Sequence, residues 1–305
     1  RLTGIVANNS IIPLAAFNGA HIRLPGSALK GGENSATFTF VSDIAPAGAS
    51  IIKSHDPDGS DYLYTLLVPA DANQLFPCFD QPDLKARVTL TLTTPSAWSA
   101  VANGAESVAD TVAKSVVHHF NETKPISTYL IAFAAGPWEK ASSTVNGRTI
   151  NVYVRKSRAK EADLDTLLAM NHRAVGWMES YFGVPYPFEK YDFLLAPAFP
   201  FGGMEHPGAT FYNENSFIFR ERPTLARRLG RFSTILHEVA HQWFGDLVTM
   251  RWFDDLWLKE GFATYMAARA QFALDSTTGA WKTFYQGNKP SAYSVDQTTG
   301  TNSLW

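Results

Sequence analysis

The sequence contains a single cysteine, Cys78, among 305 residues. One thiol excludes an internal disulfide and also any zinc cluster built from several cysteines. No run of about 18 apolar residues occurs, so no membrane-spanning helix is predicted. The formal net charge of −2 favours neither nucleic acid nor an anionic membrane surface as a partner.

The composition is that of a globular protein with one large or two ordinary domains. Apolar residues make up 45% of the chain and aromatic residues 13%, which is enough to build buried cores. The chain begins at Arg1 rather than methionine, so a removed leader would leave no trace. A cytoplasmic and a periplasmic or secreted location therefore both stay open. The oligomeric state is not predicted from the sequence.

The first part of the chain has the pattern of a β domain. Short runs rich in β-branched and aromatic residues, separated by turn formers, predict strands over residues 36–41, 62–67, 86–92 and 128–133. No helix of ordinary length is predicted there, so residues 1–140 are expected to form an all-β domain of saddle-like or sandwich-like shape. His118 and His119 should point to opposite faces of a strand, which prevents them from chelating one metal together.

From about residue 141 the apolar period changes from two to about 3.6 residues. After a strand over residues 148–154, the pattern predicts a long helix from Glu161 to Gly183, where the glycine ends it. A strand over residues 191–196 and further helices follow. The chain is therefore predicted to be multidomain, β and then α+β, with the second domain over residues 141–305.

One of these later helices carries a histidine pair. His237, Glu238 and His241 form an H-E-x-x-H pattern among apolar residues that recur every three or four positions. Residues four apart share one face of a helix, so both imidazoles can bind one metal ion. Glu238 lies one step round the helix, close to a metal-bound water, which is the layout of a zinc peptidase helix. The alternative is an ordinary helix with two half-exposed histidines.

Glu260 is the candidate third ligand, and a fourth position would stay open for water or substrate. It follows Asp254 and Asp255, which are N-cap candidates for a helix to about Ala273, and it should lie on the second turn of that helix. A carboxylate among apolar neighbours needs a charged partner, and zinc would supply one. The alternative places Glu260 in solvent beside Lys259.

A glycine pair precedes the histidine helix. Gly202 and Gly203 would let another backbone approach closely, as recognition of an extended peptide by an edge strand requires. Glu205 follows almost at once and would place a carboxylate near the end of such a peptide. On this pattern alone, the alternative is an ordinary loop that contains a glutamate.

Taken together, these residues resemble the aminopeptidase N family of zinc metallopeptidases. The run Gly202–Glu205 precedes H-E-x-x-H, and Glu260 follows His241 after eighteen intervening residues. Flanking sequences at residues 76–82, 242–245 and 258–264 agree with the family as well. The resemblance implies an all-β saddle domain followed by a thermolysin-like catalytic domain, and we expect a bacterial member.

The resemblance also implies a role for each site residue. His237, His241 and Glu260 would bind one Zn2+ per chain, and Glu238 would be the general base. The implied substrate-binding residues are Glu205, Gly202, Gly203, Met204 and His206. Among these, Glu205 would hold the free α-ammonium of a peptide substrate, so that the N-terminal peptide bond is the one hydrolysed.

Three departures from the family pattern bear on this expectation. His206 stands where the family has asparagine, and it would either pack or offer the substrate a new donor. Leu66 and Val68 replace a glutamine and a second amine-binding glutamate, which predicts a more apolar first subsite. The family's oxyanion-stabilising tyrosine is expected beyond Trp305 and early strands are absent, so we predict a piece of a longer enzyme with little activity alone.

Two other functions stay open at this point. One is a metallohydrolase of the same fold with a different specificity, and the other is a non-catalytic scaffold that keeps the fold. An intact Glu238 and a full set of metal ligands argue against the scaffold. The side-chain preference of the enzyme is not predicted, because loops that periodicity cannot place form the walls of the subsites.

Overall fold

The computed structural model describes residues 1–299, and the first part of the chain folds into β-sheets. Its strands are β1 (Leu2–Ala7), β2 (Ser10–Ile11), β3 (Ala36–Phe40), β4 (Ile44–Ala45), β5 (Ile51–His55), β6 (Asp61–Thr65), β7 (Thr91–Pro95), β8 (Ser99–Ala102), β9 (Glu106–Val112), β10 (Ser115–Phe120) and β11 (Phe133–Gly136). The strand orders of its sheets are β2-β1-β3, β7-β10-β9 and β4-β5-β6-β11-β8. A four-residue helix, α1 (Ala72–Leu75), follows β6. Sheet therefore dominates this part of the chain, as predicted.

The strand predicted over residues 86–92 is misplaced. The ladder starts only at Thr91 and runs to Pro95, paired with β10. Ala86 makes just an isolated bridge to Ile126. Apolar and polar residues alternate across the whole stretch, so the pattern does not mark the residue at which strand pairing begins.

The strand predicted over residues 128–133 is wrong over most of its length. Thr128–Leu130 form a 3-10 turn, and β11 starts only at Phe133. Tyr129 and Ile131 are both buried, as are the residues around them. A short run that is buried throughout shows no alternation, so sequence alone does not distinguish a strand from a turn there.

Reactive side chains in the β-sheet part have structural roles. His118 is buried and hydrogen-bonds Thr94 and Glu106, whereas the side chain of His119 on the opposite face is 42% exposed. The two histidines therefore cannot share a metal, as predicted. Cys78 is partly buried against a hydrophobic core, and burial raises the pKa of its thiol to about 12, so it stays a neutral packing residue.

A mixed five-stranded sheet forms the base of the second part. Its strands are β12 (Trp138–Val145), β13 (Arg148–Arg155), β14 (Asp192–Ala196), β15 (Gly203–Met204) and β16 (Ala209–Asn213). The order is β12-β13-β14-β16-β15, with β13, β14 and β16 parallel and both outer pairs antiparallel. The short strand β15, which contains Gly203 of the glycine pair, is thus an edge strand. The predicted boundary near residue 141 falls within β12, and the division of the chain into domains there stays a prediction.

Helices are concentrated in the second part of the chain. They are α2 (Leu164–Phe182), α3 (Glu214–Phe217), α4 (Leu225–His241), α5 (Trp257–Leu274), α6 (Ala280–Thr283) and α7 (Lys289–Asp296), with a π-helical turn at Phe284–Asn288. Within residues 1–299, no helix combines the length and the apolar character needed to cross a membrane.

Strand β14 separates two hydrophobic cores. Its side chains alternate, so that Phe193 and Leu195 pack with helices α2, α4 and α5. Leu194 and Ala196 point the other way, into a core shared with residues of the first part such as Tyr64. Because both faces of the strand are covered, all five of its residues are buried. The sheet is therefore packed between the helices and the preceding β-sheets.

Polar contacts also join the two parts of the chain. Arg155 of β13 forms ion pairs with Asp56 and Glu214, whose side chains are each only 1% exposed. The hydroxyl of Tyr64 donates to the carbonyl of Pro197 at 2.7 Å. These contacts hold strand β6 against the second part and bring Val68, three residues after that strand, to the cleft described below.

Helix α2 ends at Gly183, as predicted, with that glycine in the left-handed conformation at φ 65°. A side chain in this conformation costs about 1–2 kcal/mol, so Gly183→Ala is expected to lower the free energy of unfolding by about 1 kcal/mol. Gly176 is a control in the same helix, since an added Cβ there meets no heavy atom within 4 Å. Gly176→Ala should raise stability by about 0.5–1 kcal/mol. Chemical denaturation measures both values, and a shared sign would contradict this account.

Candidate active site

Helix α4 presents both histidines of the H-E-x-x-H pattern to a cleft. Its first turn is capped by Thr224, whose side chain accepts from the amide of Arg227 at 3.3 Å. Phe232, Ile235, Leu236 and Val239 point into the core, which fixes the rotation of the helix. The opposite face therefore carries His237 and His241, whose Nε2 atoms lie 3.0 Å apart.

Hydrogen bonds at the other ring nitrogen orient each imidazole. Nδ1 of His241 lies 3.0 Å from the carbonyl of Phe244 and donates to it, which leaves its Nε2 with a free lone pair. Nδ1 of His237 lies 3.3 Å from Oγ1 of Thr264 on helix α5. A metal ion bound between the two Nε2 atoms would use the lone pair of each, so the arrangement is one that can hold a metal.

Helix α5 brings Glu260 to the same point. Oε2 of Glu260 lies 3.4 Å from Nε2 of His237 and 3.6 Å from Nε2 of His241. Although burial acts in the opposite direction, the adjacent imidazoles and the ammonium of Lys259 hold the pKa of Glu260 well below its usual range. The carboxylate is thus ionised and faces the histidines. Its side chain is partly exposed, but the carboxylate contacts both histidines and Lys259 instead of lying free in solvent.

The start of helix α5 differs from the prediction. Asp254 and Asp255 lie in a 3-10 turn and make no side-chain cap, so the helix begins only at Trp257. Glu260 consequently lies on the first turn of the helix rather than the second. The capping signal was misleading because the acidic pair belongs to a separate 3-10 turn that precedes the helix.

The three donor groups have the spacing that a tetrahedral metal requires. Ligands at about 2.0–2.1 Å from a tetrahedral ion lie roughly 3.3 Å from one another. The separations among His237, His241 and Glu260 run from 3.0 to 3.6 Å. These residues therefore fit a single ion without rearrangement, and two imidazoles with one carboxylate leave a fourth position for another ligand.

Glu238 lies beside this centre, against the edge strand. It is buried, and a Cβ added to Gly203 would come within 2.5 Å of its Oε1. The backbone of β15 can approach the carboxylate closely only because no side chain intervenes at this glycine. Burial raises the pKa of Glu238 to about 8.

Glu205 lies just beyond the edge strand and points to the same centre. Its carboxylate, one carboxylate oxygen of Glu238 and a ring nitrogen of His241 lie within 4.8 Å of one another. Oε1 of Glu205 accepts from Nζ of Lys259 at 2.5 Å, and its carbonyl accepts from Nε2 of Gln242 at 2.7 Å. Burial would raise the pKa of Glu205, but the charge of Lys259 outweighs it and holds the pKa at about 2.

Lys259 is a site residue that the sequence did not reveal. It is only 3% exposed, and its ammonium donates to Glu260 as well as to Glu205. The ring of Tyr129 lies beneath the ammonium at 5.3 Å. The sequence offered one signal, a lysine inside the apolar run 256–262, but its acidic neighbour made the pair look like an ordinary solvent-exposed one.

His206 packs instead of facing the cleft. It is fully buried, and its ring meets that of Phe211 edge-on at 4.7 Å between centroids. Burial lowers the pKa of the imidazole to about 4, so the ring is neutral. The packing alternative fits this position, whereas a contact between His206 and a substrate in the cleft does not.

The cleft above the metal-ligand cluster has a volume of about 580 Å³. One wall consists of the edge-strand segment with Gly202, Gly203 and Met204, and Val68 of the first part adjoins it. Val68 is thus at the cleft, as its position in the sequence suggested. Leu66 lies farther away and lines a neighbouring cavity of about 280 Å³, whose wall Val68 shares.

The cleft-lining residues outside the charged cluster are uncharged. They include Gly230, Ser233, Thr234, Gln271, Thr283 and Asn288, together with Ala267, Ala268, Ala280 and Phe284. The charged groups of the site are therefore concentrated in one cluster, which contains Glu205, Glu238, Lys259 and Glu260. An extended ligand with a cationic end would be oriented by this asymmetry.

Comparison with known proteins agrees with this geometry. The Peptidase family M1 domain matches residues 167–305, and the Peptidase M1 N-terminal domain matches residues 18–130. The chain is 37% identical to Aminopeptidase N of Streptomyces lividans over 297 residues, which is 94% of this chain and 34% of that protein. It is 38% identical to human Endoplasmic reticulum aminopeptidase 1 over 207 residues, 66% of this chain and 22% of that protein.

A plant aminopeptidase is similar to the chain as well. Aminopeptidase M1-A of Oryza sativa subsp. japonica is 36% identical over 231 residues, which is 70% of this chain and 26% of that protein. The chain thus spans about a third or less of the length of these relatives. Two domains of one family, in the family's order, account for most of its sequence. The chain belongs to peptidase family M1.

Proposed function

We propose that this chain carries the catalytic site of a zinc-dependent aminopeptidase, which removes the N-terminal residue from peptides. The observation that carries the proposal is the convergence of His237, His241 and Glu260 beside two buried acidic residues, Glu205 and Glu238. The names of the relatives, all aminopeptidases, support the same activity. A peptide with a free N-terminus is the proposed substrate.

One zinc ion per chain would be held by His237, His241 and Glu260. Two imidazoles and a carboxylate with an open fourth position are typical ligands of catalytic zinc. When bound, zinc would act as a Lewis acid that polarises the scissile carbonyl and makes water more acidic. The remaining steps depend on side chains of this protein.

Glu238 is the proposed general base. It lies between the metal ligands and the edge strand, so a water that attacks a peptide bound along the strand is within its reach. The carboxylate would accept a proton from this water and later deliver it to the leaving amine.

Glu205 is the proposed anchor for the substrate's α-ammonium. A peptide that adds to the free side of β15 would be held by backbone hydrogen bonds, with its N-terminus at the carboxylate that follows the strand. Anchored there, only its first peptide bond would reach the metal ligands. Because Val68 supplies no second carboxylate, the anchor depends on Glu205 alone in this part of the cleft.

The architecture that we propose matches this chemistry. Residues 1–140 would be a saddle-like β domain, and residues 141–305 would belong to a thermolysin-like catalytic domain. The helices α4 and α5, which carry the proposed ligands, pack against one another and against the mixed sheet.

Replacing Glu205 tests the anchor. Glu205→Ala should lower kcat/KM for a free-amine substrate such as leucyl-p-nitroanilide by about 30- to 300-fold, because an ion pair in a desolvated site is lost. N-terminally acetylated peptides carry no ammonium, so the same variant should change their slow hydrolysis, if measurable, by far less. Equal losses on both substrates would remove Glu205 from this role.

The apolar Val68 also favours a second candidate, a metallohydrolase of the same fold with a different specificity. Faster hydrolysis of acetylated than of free-amine peptides by the zinc-loaded chain would support this second function. A zinc-loaded protein that hydrolyses neither class of peptide would support the remaining possibility, a non-catalytic scaffold.

A further inference from the structure

The edge strand contacts helix α4 beside the cleft, through two consecutive glycines. A Cβ added to Gly203 would meet Glu238, and one added to Gly202 would lie 3.5 Å from Thr234. Moving one residue towards the N-terminus of the strand therefore corresponds to moving about one turn towards the N-terminus of the helix. A peptide anchored at Glu205, as the proposed function requires, would extend towards the N-terminal end of helix α4.

Arg227 lies farther along helix α4 towards its N-terminus, outside the residues that line the cleft. It precedes Thr234 by seven residues, or nearly two helical turns, so the two side chains share a face of the helix. The arginine is exposed, and its guanidinium lies over the ring of Phe219 at 4.8 Å from the centroid. Stacking restricts the side chain without using its hydrogen-bond donors.

The neighbouring arginines are placed differently. Arg228 is about 100° round the helix from Arg227 and so points away from the cleft face. Arg231 is buried and donates to the carbonyl of Phe217 at 3.1 Å. Among the arginines at 227, 228 and 231, Arg227 is therefore the exposed one on the face of helix α4 that carries Thr234.

The length of the path sets the length of the ligand. Arg227 lies ten residues before His237, which corresponds to about 15 Å along the helix axis. An extended peptide spans this distance with about four to five residues, at about 3.3 Å for each. The long arginine side chain can reduce that number by one or two residues.

We propose that Arg227 binds the C-terminal carboxylate of short peptides, about three to five residues long, whose N-terminus is held at Glu205. A guanidinium recognises a carboxylate through two parallel hydrogen bonds. Because the pair is exposed to solvent, its effect is modest and decreases as salt screens it. The ends of the substrate would thus be recognised by opposite charges, at Glu205 and at Arg227, which favours short peptides over long ones.

The test uses a matched pair of ligands and a matched pair of variants. The tetrapeptide Leu-Gly-Gly-Gly is compared with its C-terminal amide on the zinc-loaded parent, Arg227→Gln and Arg228→Gln proteins. The parent should prefer the free acid by about two- to fivefold in kcat/KM, and 0.5 M NaCl should reduce this preference. Arg227→Gln should abolish the preference, whereas Arg228→Gln, which removes the same charge, should keep it.

Two further measurements separate this inference from the proposed function. Equilibrium binding of both peptides, measured by calorimetry, reports the carboxylate preference even if neither peptide is hydrolysed. Hydrolysis without any preference would overturn the role of Arg227 and leave the proposed function intact. A tetrapeptide amide with aspartate at the fourth position shows whether a side-chain carboxylate can replace the terminal one. If the parent and Arg227→Gln proteins prefer each carboxylate-bearing peptide equally, Arg227 recognises neither carboxylate and the inference is overturned.

Discussion

Glu238→Gln is expected to retain zinc and to lose hydrolysis almost completely. Glutamine has nearly the same shape, so it fits the space beside Gly203 and leaves the three ligand side chains in place. It cannot accept a proton from water, and loss of general-base catalysis lowers kcat by about 10²–10⁴-fold. The measurement is kcat on an aminoacyl chromophore, together with the zinc content of the same samples.

The control for this variant is a carboxylate remote from the cleft. Glu122 is 57% exposed and pairs only loosely with Arg87, at 3.8 Å. Glu122→Gln should therefore change neither kcat nor zinc content. A zinc-loaded Glu238→Gln protein with the parent's activity would show that another group takes the proton.

Glu260→Ala is expected to lose the metal itself. Removing a group that hydrogen-bonds to a metal ligand typically lowers zinc affinity 10–100-fold, so loss of one of three protein ligands should lower it by more than about 100-fold. Activity should decrease in parallel and return only partly at high zinc concentration. Competition with a chromogenic chelator measures the affinity directly.

Folding does not complicate this second experiment. The side chain of Glu260 is 43% exposed, so its removal leaves no large cavity. Thermal unfolding of the metal-free parent and of the metal-free variant should nearly coincide, whereas added zinc should stabilise only the parent. Parent-like zinc affinity in Glu260→Ala would place the third ligand elsewhere.

Features that depend on local spacing could be predicted from the sequence. The H-E-x-x-H helix is one, since residues four apart must share a face whatever surrounds them. Gly183 is another, since a glycine after a long periodic segment ends the helix for local steric reasons. The edge-strand position of Gly203 also agrees with the prediction from paired glycines.

Features that depend on distant contacts could not be predicted in this way. Lys259 is buried because Glu205, more than fifty residues earlier, and the ring of Tyr129 meet its ammonium. Nothing near Lys259 in the sequence encodes those partners. The turn at Thr128–Leu130 was mistaken for a strand for a related reason, since packing from all sides removed the alternation that marks a strand.

His206 shows how a sequence comparison and a structure complement each other. The sequence identified a departure from the family pattern but left open packing or a contact with the substrate. Its complete burial against Phe211 supports packing. The position of Arg227 relative to the cleft, in contrast, became visible only when strand β15 and helix α4 could be aligned residue by residue.

The most direct test of the proposed metal centre is anomalous diffraction at the zinc edge from crystals of the zinc-loaded protein. We predict one peak per chain, about 2.0–2.2 Å from Nε2 of His237, Nε2 of His241 and a carboxylate oxygen of Glu260. Glu205 should face the open side of the ion. A zinc peak at any other place, or a Glu205 side chain turned out of the cleft, would contradict the proposal.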